Sequence, residues 1–179
     1  MDSFENLVRL LLENSGYWTR HSQKVNVTKE EKRKIGKHSI PRPEIDLLAF
    51  ESGANKVIAL EVKSFLDSPG VRVTDIRQSY EIPTGRYKLF TCRNYRQIVI
   101  SRLKSDLIEM NLANEDTDIR MGLAAGNIYQ NKETELKQLF VEEGWFLWTP
   151  TEIKKRLRDL ADVGYENDPF VISAKLLCR

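Results

Sequence analysis

Two short apolar segments in the first third of the chain constrain its fold more than any other feature. They cover residues 43–50 and 57–63, and the intervening residues 51–56 include glycine, serine and asparagine. Segments of this length, with a turn-forming break between them, are typical of two consecutive β-strands. Both segments are apolar enough to predict positions in the centre of a sheet.

Each of these predicted strands nevertheless carries charged side chains. Asp46 lies in the first, whereas Glu61 and Lys63 lie two residues apart in the second. Side chains along a strand alternate with period two, so Glu61 and Lys63 share a face with Val57 and Ala59. Charged groups in so apolar a setting are costly to bury unless they are paired or bind a metal. The three together predict a functional site, although surface ion pairing or a hydrogen-bond hub would explain any one of them.

The rest of the chain predicts a mixed α/β domain. Helical spacing of apolar residues predicts helices over residues 2–13, 74–82, 94–112, 132–143, 150–164 and 169–177. The predicted strands are residues 17–28, 43–50, 57–63, 87–91 and 145–148. We therefore expect an α/β core over residues 1–130, in which helices flank a central mixed β-sheet, and a helical C-terminal extension over residues 131–179.

Two helix starts in the C-terminal part have strong capping signals. Thr149, followed by Pro150 and by Glu152 three residues after the threonine, predicts a capping box. Asp168 before Pro169 is typical of an N-cap. These signals predict that the last two helices begin at residues 150 and 169.

Composition favours an ordinary globular protein. Hydrophobic residues make up 41% and charged residues 30% of the chain, which fits neither a disordered nor a membrane protein. The sequence shows no signal-peptide pattern and no apolar stretch long enough to span a bilayer. Cys92 and Cys178 lie far apart, as is typical of reduced intracellular thiols. We expect a cytoplasmic protein without a membrane partner.

Positive charge is concentrated in one segment, although the formal net charge is only +2. The cations between residues 29 and 42 are Lys29, Lys32, Arg33, Lys34, Lys37 and Arg42. Clustered cations bind phosphates by releasing counterions, largely independently of sequence. Because the segment directly precedes the strand of Asp46, we expect a charged connection that contacts DNA beside the site. A solvated loop is the alternative interpretation, and it applies equally to a second basic group on the helix predicted from residue 150.

The order of the acidic residues and the lysine resembles the PD-(D/E)xK nuclease superfamily, which includes many restriction endonucleases and Holliday-junction resolvases. The matching pattern is Glu5 in a first helix, Glu44-x-Asp46 in one strand and Glu61-x-Lys63 in the next. The resemblance covers about the first half of the chain and implies a restriction endonuclease-like core. Two residues separate Pro43 from Asp46, so the literal Pro-Asp dipeptide of the superfamily is absent.

The resemblance implies a role for each matching position. Asp46 and Glu61 would bind Mg²⁺ or Mn²⁺ together with the main-chain carbonyl of Val62, and Lys63 would assist the attacking water. Hard cations take such oxygen ligands, and they activate water and compensate phosphoryl charge. Glu5 would join the site, but an acid in the first turn of a helix also stabilises the helix dipole, so both interpretations stay open.

Two further residues are candidates for supporting the site, namely Gln78 and Glu44. Exonuclease-like branches of the superfamily carry a Gln-x-x-x-Tyr pattern at the position of Gln78. Here the residue four positions later is Ile82, which favours an endonuclease.

The resulting prediction is a Mg²⁺-dependent DNA endonuclease acting on duplex or branched DNA. A homodimer would cut two strands with two copies of one site. Two alternatives remain at this point. One is a catalytically inactive DNA-binding module of the same fold, and the other is a regulator that binds DNA through the C-terminal helices. RNA is a further substrate within the nuclease interpretation.

Overall fold

The computed structural model describes residues 2–164 and 166–178. Its α-helices are α1 (Ser3–Asn14), α2 (Lys29–Lys34), α3 (Val73–Ile76), α4 (Lys88–Thr91), α5 (Arg93–Glu109), α6 (Glu133–Glu142), α7 (Pro150–Asp159) and α8 (Pro169–Cys178). Its strands are β1 (Trp18–Lys24), β2 (Glu44–Glu51), β3 (Lys56–Lys63), β4 (Asp118–Ala125) and β5 (Phe146–Trp148). Short 3₁₀ turns cover Ser52–Ala54, Tyr129–Asn131 and Leu160–Asp162.

The five strands form one mixed sheet in the order β1-β2-β3-β4-β5. β1, β2 and β3 are antiparallel neighbours, whereas β3, β4 and β5 are parallel. Apolar residues of α5 and α6 pack on one face of the sheet, and those of α1, α7 and α8 pack on the other. The predicted α/β fold, with a central mixed sheet flanked by helices and a helix at the C-terminus, is confirmed.

The side chains of β3 alternate between these two layers as predicted. Val57 and Ala59 belong to the apolar cluster beneath α5. Ile58, Leu60 and Val62 belong to the cluster beneath α1. Because both faces are covered, the strand is apolar on both, which is typical of a central strand. Glu61 therefore lies on the α5 side of the sheet.

The predicted strand at residues 87–91 is wrong, because residues 88–91 form the short helix α4. The Arg96 guanidinium donates hydrogen bonds to the carbonyls of Leu89 and Phe90. It thereby satisfies two carbonyls that would pair with a neighbouring strand if this segment lay in the sheet. The fourth position in the sheet belongs instead to β4, which the sequence pattern did not predict. A Cβ at Gly122 would lie 2.9 Å from Leu60 Cδ1, so packing rather than strand propensity requires glycine there.

Other predicted elements differ mainly in length. The helix predicted over residues 74–82 is limited to the single turn α3, and the strand predicted over residues 17–28 ends at Lys24. Residues 29–34, predicted as part of a connection, form α2 with a Thr28–Glu31 capping box. The part after residue 130 contains β5, which pairs with β4, in addition to helices.

Capping in the C-terminal part follows the prediction. Thr149 and Glu152 form the expected capping box at the start of α7. Asp168 accepts hydrogen bonds from the backbone N–H groups of Phe170 and Val171 at the start of α8. Both cysteines are free. In the part of the chain that the structure describes, no helix has the length and apolar character needed to cross a membrane.

Candidate active site

The site begins where β2 and β3 separate. Regular pairing of the two strands ends at Leu47 opposite Leu60. Beyond this pair, the backbone N–H of Val62 donates to the Asp46 carboxylate at 2.7 Å instead of to a carbonyl of β2. The side chain of Asp46 therefore occupies the gap that opens between the strands, and it is held there by the backbone of β3.

Lys63 brings the two carboxylates together. Its Nζ lies 3.1 Å from Asp46 Oδ2 and 2.9 Å from Glu61 Oε2. The side chains of Asp46 and Lys63 are each 21% exposed, and that of Glu61 is 16% exposed. The structure therefore brings together the three residues on which the predicted site depends, in a mostly buried position that solvent still reaches.

Burial and mutual attraction determine the charge states of this cluster. Burial raises the pKa of Glu61, and the negative charge of Asp46 adds to that effect, while Lys63 offsets part of it. Burial alone would lower the pKa of Lys63, but the combined attraction of Glu61 and Asp46 outweighs it and raises that pKa above its ordinary value. Lys63 is thus an ammonium ion at neutral pH in this arrangement.

The charge of Glu61 also affects the pKa of two tyrosines of the helical layer, Tyr87 and Tyr95. Burial raises the pKa of Tyr87 to about 12, with contributions from the charges of Asp75, Lys63 and Glu61 that have opposing signs. Burial also raises the pKa of Tyr95, and the Glu61 carboxylate contributes to that shift. Both phenols therefore stay protonated at neutral pH and lie within electrostatic reach of Glu61. The sequence indicated neither tyrosine as a neighbour of the site. Residue 87 in particular was predicted to lie in a strand, and that strand does not form.

The donor set fits a small divalent cation. Asp46 and Glu61 already converge on one positive charge. The N–H and C=O of one strand residue point to the same side, so the Val62 carbonyl faces the gap that its N–H faces. Mg²⁺ commonly uses one or two carboxylates and keeps waters and substrate oxygens. Within residues 2–164 and 166–178, there is no group of three or more His, Cys, Asp or Glu side chains that could hold a metal ion, so water and substrate oxygens would have to complete the ligand set.

The remaining predicted site residues lie around this cluster or away from it. Glu5 forms a capping box with Asp2 at the start of α1, which accounts for an acid at this position. Its neighbour Phe4 lies near Gly126, which follows β4 at the same edge of the sheet as Lys63. Glu44 is the exposed first residue of β2.

Gln78 is exposed after α3 and donates to the backbone carbonyl of Thr74. Gln78 also lines a small cavity together with Tyr87. That Gln78 supports the metal site stays a prediction.

The basic segment, residues 29–42, is ordered against the helical layer of the site. Arg102 of α5 binds the Glu31 carboxylate through two nitrogens at 2.7–3.1 Å, which attaches α2 to α5. Lys37 donates to the carbonyl of Pro83 at 3.4 Å, and Arg42 donates to the side chain of Asn26. Lys29, Arg33, Lys34, Lys37 and Arg42 are exposed, and Lys32 is partly exposed. The segment therefore presents cations to solvent from a fixed backbone.

Two larger cavities lie at the other edge of the sheet. One of about 580 Å³ lies beside Trp18 and Leu112, and another of about 560 Å³ lies between Arg120 and Trp145. Neither is lined by Asp46, Glu61 or Lys63.

Comparisons with protein-family models, with curated proteins and with solved structures give no match to this chain.

Proposed function

We propose that this protein is a divalent-metal-dependent endonuclease that hydrolyses phosphodiester bonds in duplex or branched DNA. The observation that carries the proposal is the convergence of two carboxylates and an ammonium at the point where β2 and β3 separate. Charged groups are costly in apolar central strands, and here the Lys63 ammonium lies 2.9–3.1 Å from both carboxylates and compensates their charge. The resemblance to the PD-(D/E)xK superfamily supports the same proposal.

Asp46, Glu61 and the Val62 carbonyl would hold Mg²⁺ or Mn²⁺. Such an ion supplies an activated water and neutralises charge on the phosphoryl oxygens. Asp46 is preorganised for this role, because the Val62 N–H fixes its carboxylate at 2.7 Å. A ligand that is already oriented loses little conformational freedom on binding.

Lys63 would stabilise developing negative charge and orient the attacking water. Glu61 and Asp46 raise the pKa of Lys63, which favours its contribution as a positive charge beside the phosphoryl oxygens. The attacking water's proton would then pass to solvent or to another group.

The basic segment would hold the DNA backbone. Its exposed cations lie on the α5 side of the sheet, to which Glu61 also belongs, and Lys37 contacts the loop that leads to Tyr87. Counterion release would make this binding strong at low salt and largely independent of base sequence. A homodimer would place two sites on the two strands, and a cytoplasmic location is consistent with two free cysteines.

The test is cleavage of supercoiled plasmid, linear duplex, single-stranded and four-way-junction DNA in Mg²⁺ or Mn²⁺. We expect Asp46→Asn and Asp46→Ala to lower the rate about a thousandfold, because each removes a charged ligand worth several kcal/mol in the transition state. Asp118→Asn is the matched control, since this exposed aspartate begins β4 at the other edge of the sheet. RNA is added as a separate substrate.

Two results would overturn the proposal. If the wild type cuts none of these substrates but binds DNA, the inactive DNA-binding module is the correct interpretation. If Asp46→Ala cuts as fast as the wild type, the active site lies elsewhere.

A further inference from the structure

A small cavity lies near the candidate active site. Its volume is about 210 Å³, and its wall includes Asp75, Gln78, Tyr80, Arg86 and Tyr87. The Arg86 guanidinium lies 5.8 Å from the centre of the Phe65 ring, and Phe65 follows Lys63 by two residues. The cavity is therefore close enough to the cluster for one nucleic-acid strand to reach both.

The wall of the cavity combines aromatic rings with hydrogen-bond donors and acceptors. The Tyr80 side chain is 41% exposed, and the backbone N–H of Tyr80 is held by the carbonyl of Thr91 at 2.8 Å. Among the residues that the structure describes, the Asp75 carboxylate accepts one long hydrogen bond, of 3.5 Å from the Thr74 hydroxyl. Within the described residues, no hydrogen bond or ion pair occupies the Arg86 guanidinium, which lies over the Phe65 ring at 5.8 Å.

This combination disfavours a phosphate and favours a planar heterocycle. The Asp75 carboxylate would repel a phosphate, whereas it can accept from an amino group. The Arg86 guanidinium can donate to a carbonyl or ring nitrogen, and Tyr80 offers a face for stacking. At about 210 Å³ the cavity is smaller than the roughly 300–1,000 Å³ of sites for larger organic ligands, so it suits one ring system.

From this geometry we infer that the cavity binds one unstacked nucleobase of the DNA strand at the active site. The inference rests on the proposed function and specifies its substrate as DNA with a base that is single-stranded, branched or extruded from the duplex. Tyr80 stacks on this base, while Asp75 and Arg86 contact its edge. Guanine, cytosine and adenine each carry an amino group beside a carbonyl or a ring nitrogen, so these three bases match Asp75 and Arg86 together, whereas thymine has no amino group.

The experiment measures binding of the full chain to labelled oligothymidylates of about twelve residues, a length within the range that single-strand sites cover. Each carries one central guanine, cytosine, adenine, thymine or abasic residue. Fluorescence anisotropy in EDTA separates binding from cleavage. We expect the guanine, cytosine and adenine strands to bind more tightly than the thymine or abasic strand.

Three variants assign the effect to the cavity. Tyr80→Ala should weaken binding of the guanine, cytosine and adenine strands about 5- to 100-fold, the loss expected for one stacked base. Tyr80→Phe should retain that affinity, because it keeps the ring. Asp75→Asn should reduce the preference over thymine. Trp18→Ala, which removes a 77% exposed aromatic residue at the other edge of the sheet, should bind as the wild type does.

Equal affinity for all five oligonucleotides, or unchanged binding by Tyr80→Ala, would overturn the inference. A weakening by Tyr80→Phe equal to that by Tyr80→Ala would also overturn it, since stacking would then not be the cause. Metal-dependent cleavage by the wild type is measured separately on the same strands. Cleavage without base preference refutes the cavity alone, whereas base-selective binding without cleavage refutes the proposed function alone.

Discussion

The strands of the central sheet end along two opposite edges, and these two edges differ in charge and in shape. At one edge, Asp46, Glu61 and Lys63 meet within 3.1 Å in a narrow gap between two strands. At the other edge, the cavities beside Trp18 and Trp145 are more than twice the volume of the one near the charged cluster, at about 580 and 560 Å³ against about 210 Å³. The wider cavities hold no comparable convergence of charge. Converging charged groups, and not cavity size, therefore mark the edge where chemistry is expected.

Among the substitutions that test this difference between the two edges, replacing Lys63 should have the largest effect. Lys63→Met removes the positive charge and leaves two carboxylates facing each other, so we expect a loss of cleavage of about a hundredfold or more. We also expect the free energy of unfolding to fall by about 1–3 kcal/mol, because charged groups that are mostly buried lose their partner. Plasmid cleavage and chemical denaturation measure the two effects.

Lys56 provides the control for this substitution, because it is the exposed first residue of the same strand at the other edge. Lys56→Met should change neither quantity appreciably. Equal losses in both variants would show that the two edges do not differ in function.

Removing cations from the basic segment should have the next largest effect, on DNA affinity. Lys37→Gln combined with Arg42→Gln should weaken binding roughly tenfold and lower the slope of log affinity against log salt concentration by about 2. Lys154→Gln with Lys155→Gln on α7 is the matched control. Binding titrations at several salt concentrations measure the slope. A larger change in the control pair would favour the regulator that binds DNA through its C-terminal helices.

A smaller effect is expected when the contact between Glu31 of α2 and Arg102 of α5 is weakened. Burial alone would raise the pKa of Glu31, but hydrogen bonds from Arg102 and Thr28 lower it. Because the folded-state pKa is depressed, the stabilisation is present above the ordinary glutamate value near 4.3 and is lost as pH falls through the folded-state value. Glu31→Gln keeps an acceptor for the Thr28 cap and loses the charge.

This variant should unfold about 1 kcal/mol more easily than the wild type at pH 7, and the difference should vanish in acid. Thermal unfolding at pH 7 and below pH 4 measures it. A difference that is the same at both pH values would contradict the charged contact with Arg102.

The smallest effect is expected at the edge with the large cavities. Trp18→Ala should leave plasmid cleavage unchanged and alter the free energy of unfolding by no more than about 0.5 kcal/mol, as is usual for exposed positions without partners. Cleavage and denaturation assays measure both. A clear loss of cleavage would show that this edge also takes part in function.

Local signals in the sequence predicted much of the fold. Period-two alternation placed Val57, Ala59, Glu61 and Lys63 on one face of β3, and the capping box placed the start of α7. β4 was missed because Gly122 and the small residues after it lack strand propensity, and tight packing against Leu60 and Phe146 compensates for that. The strand predicted at residues 87–91 failed because a short apolar run fits a buried helical turn equally well.

For the candidate site, the sequence by itself determined the residue types and their periodicity. A strand with Glu61 and Lys63 on one face follows from the spacing alone, as does an acid on the preceding strand. Only the tertiary structure decided that β2 and β3 separate at Asp46 and that one ammonium contacts both carboxylates. These contacts join residues far apart in the chain, and their geometry depends on how the helical layer packs on the sheet, which no local pattern encodes.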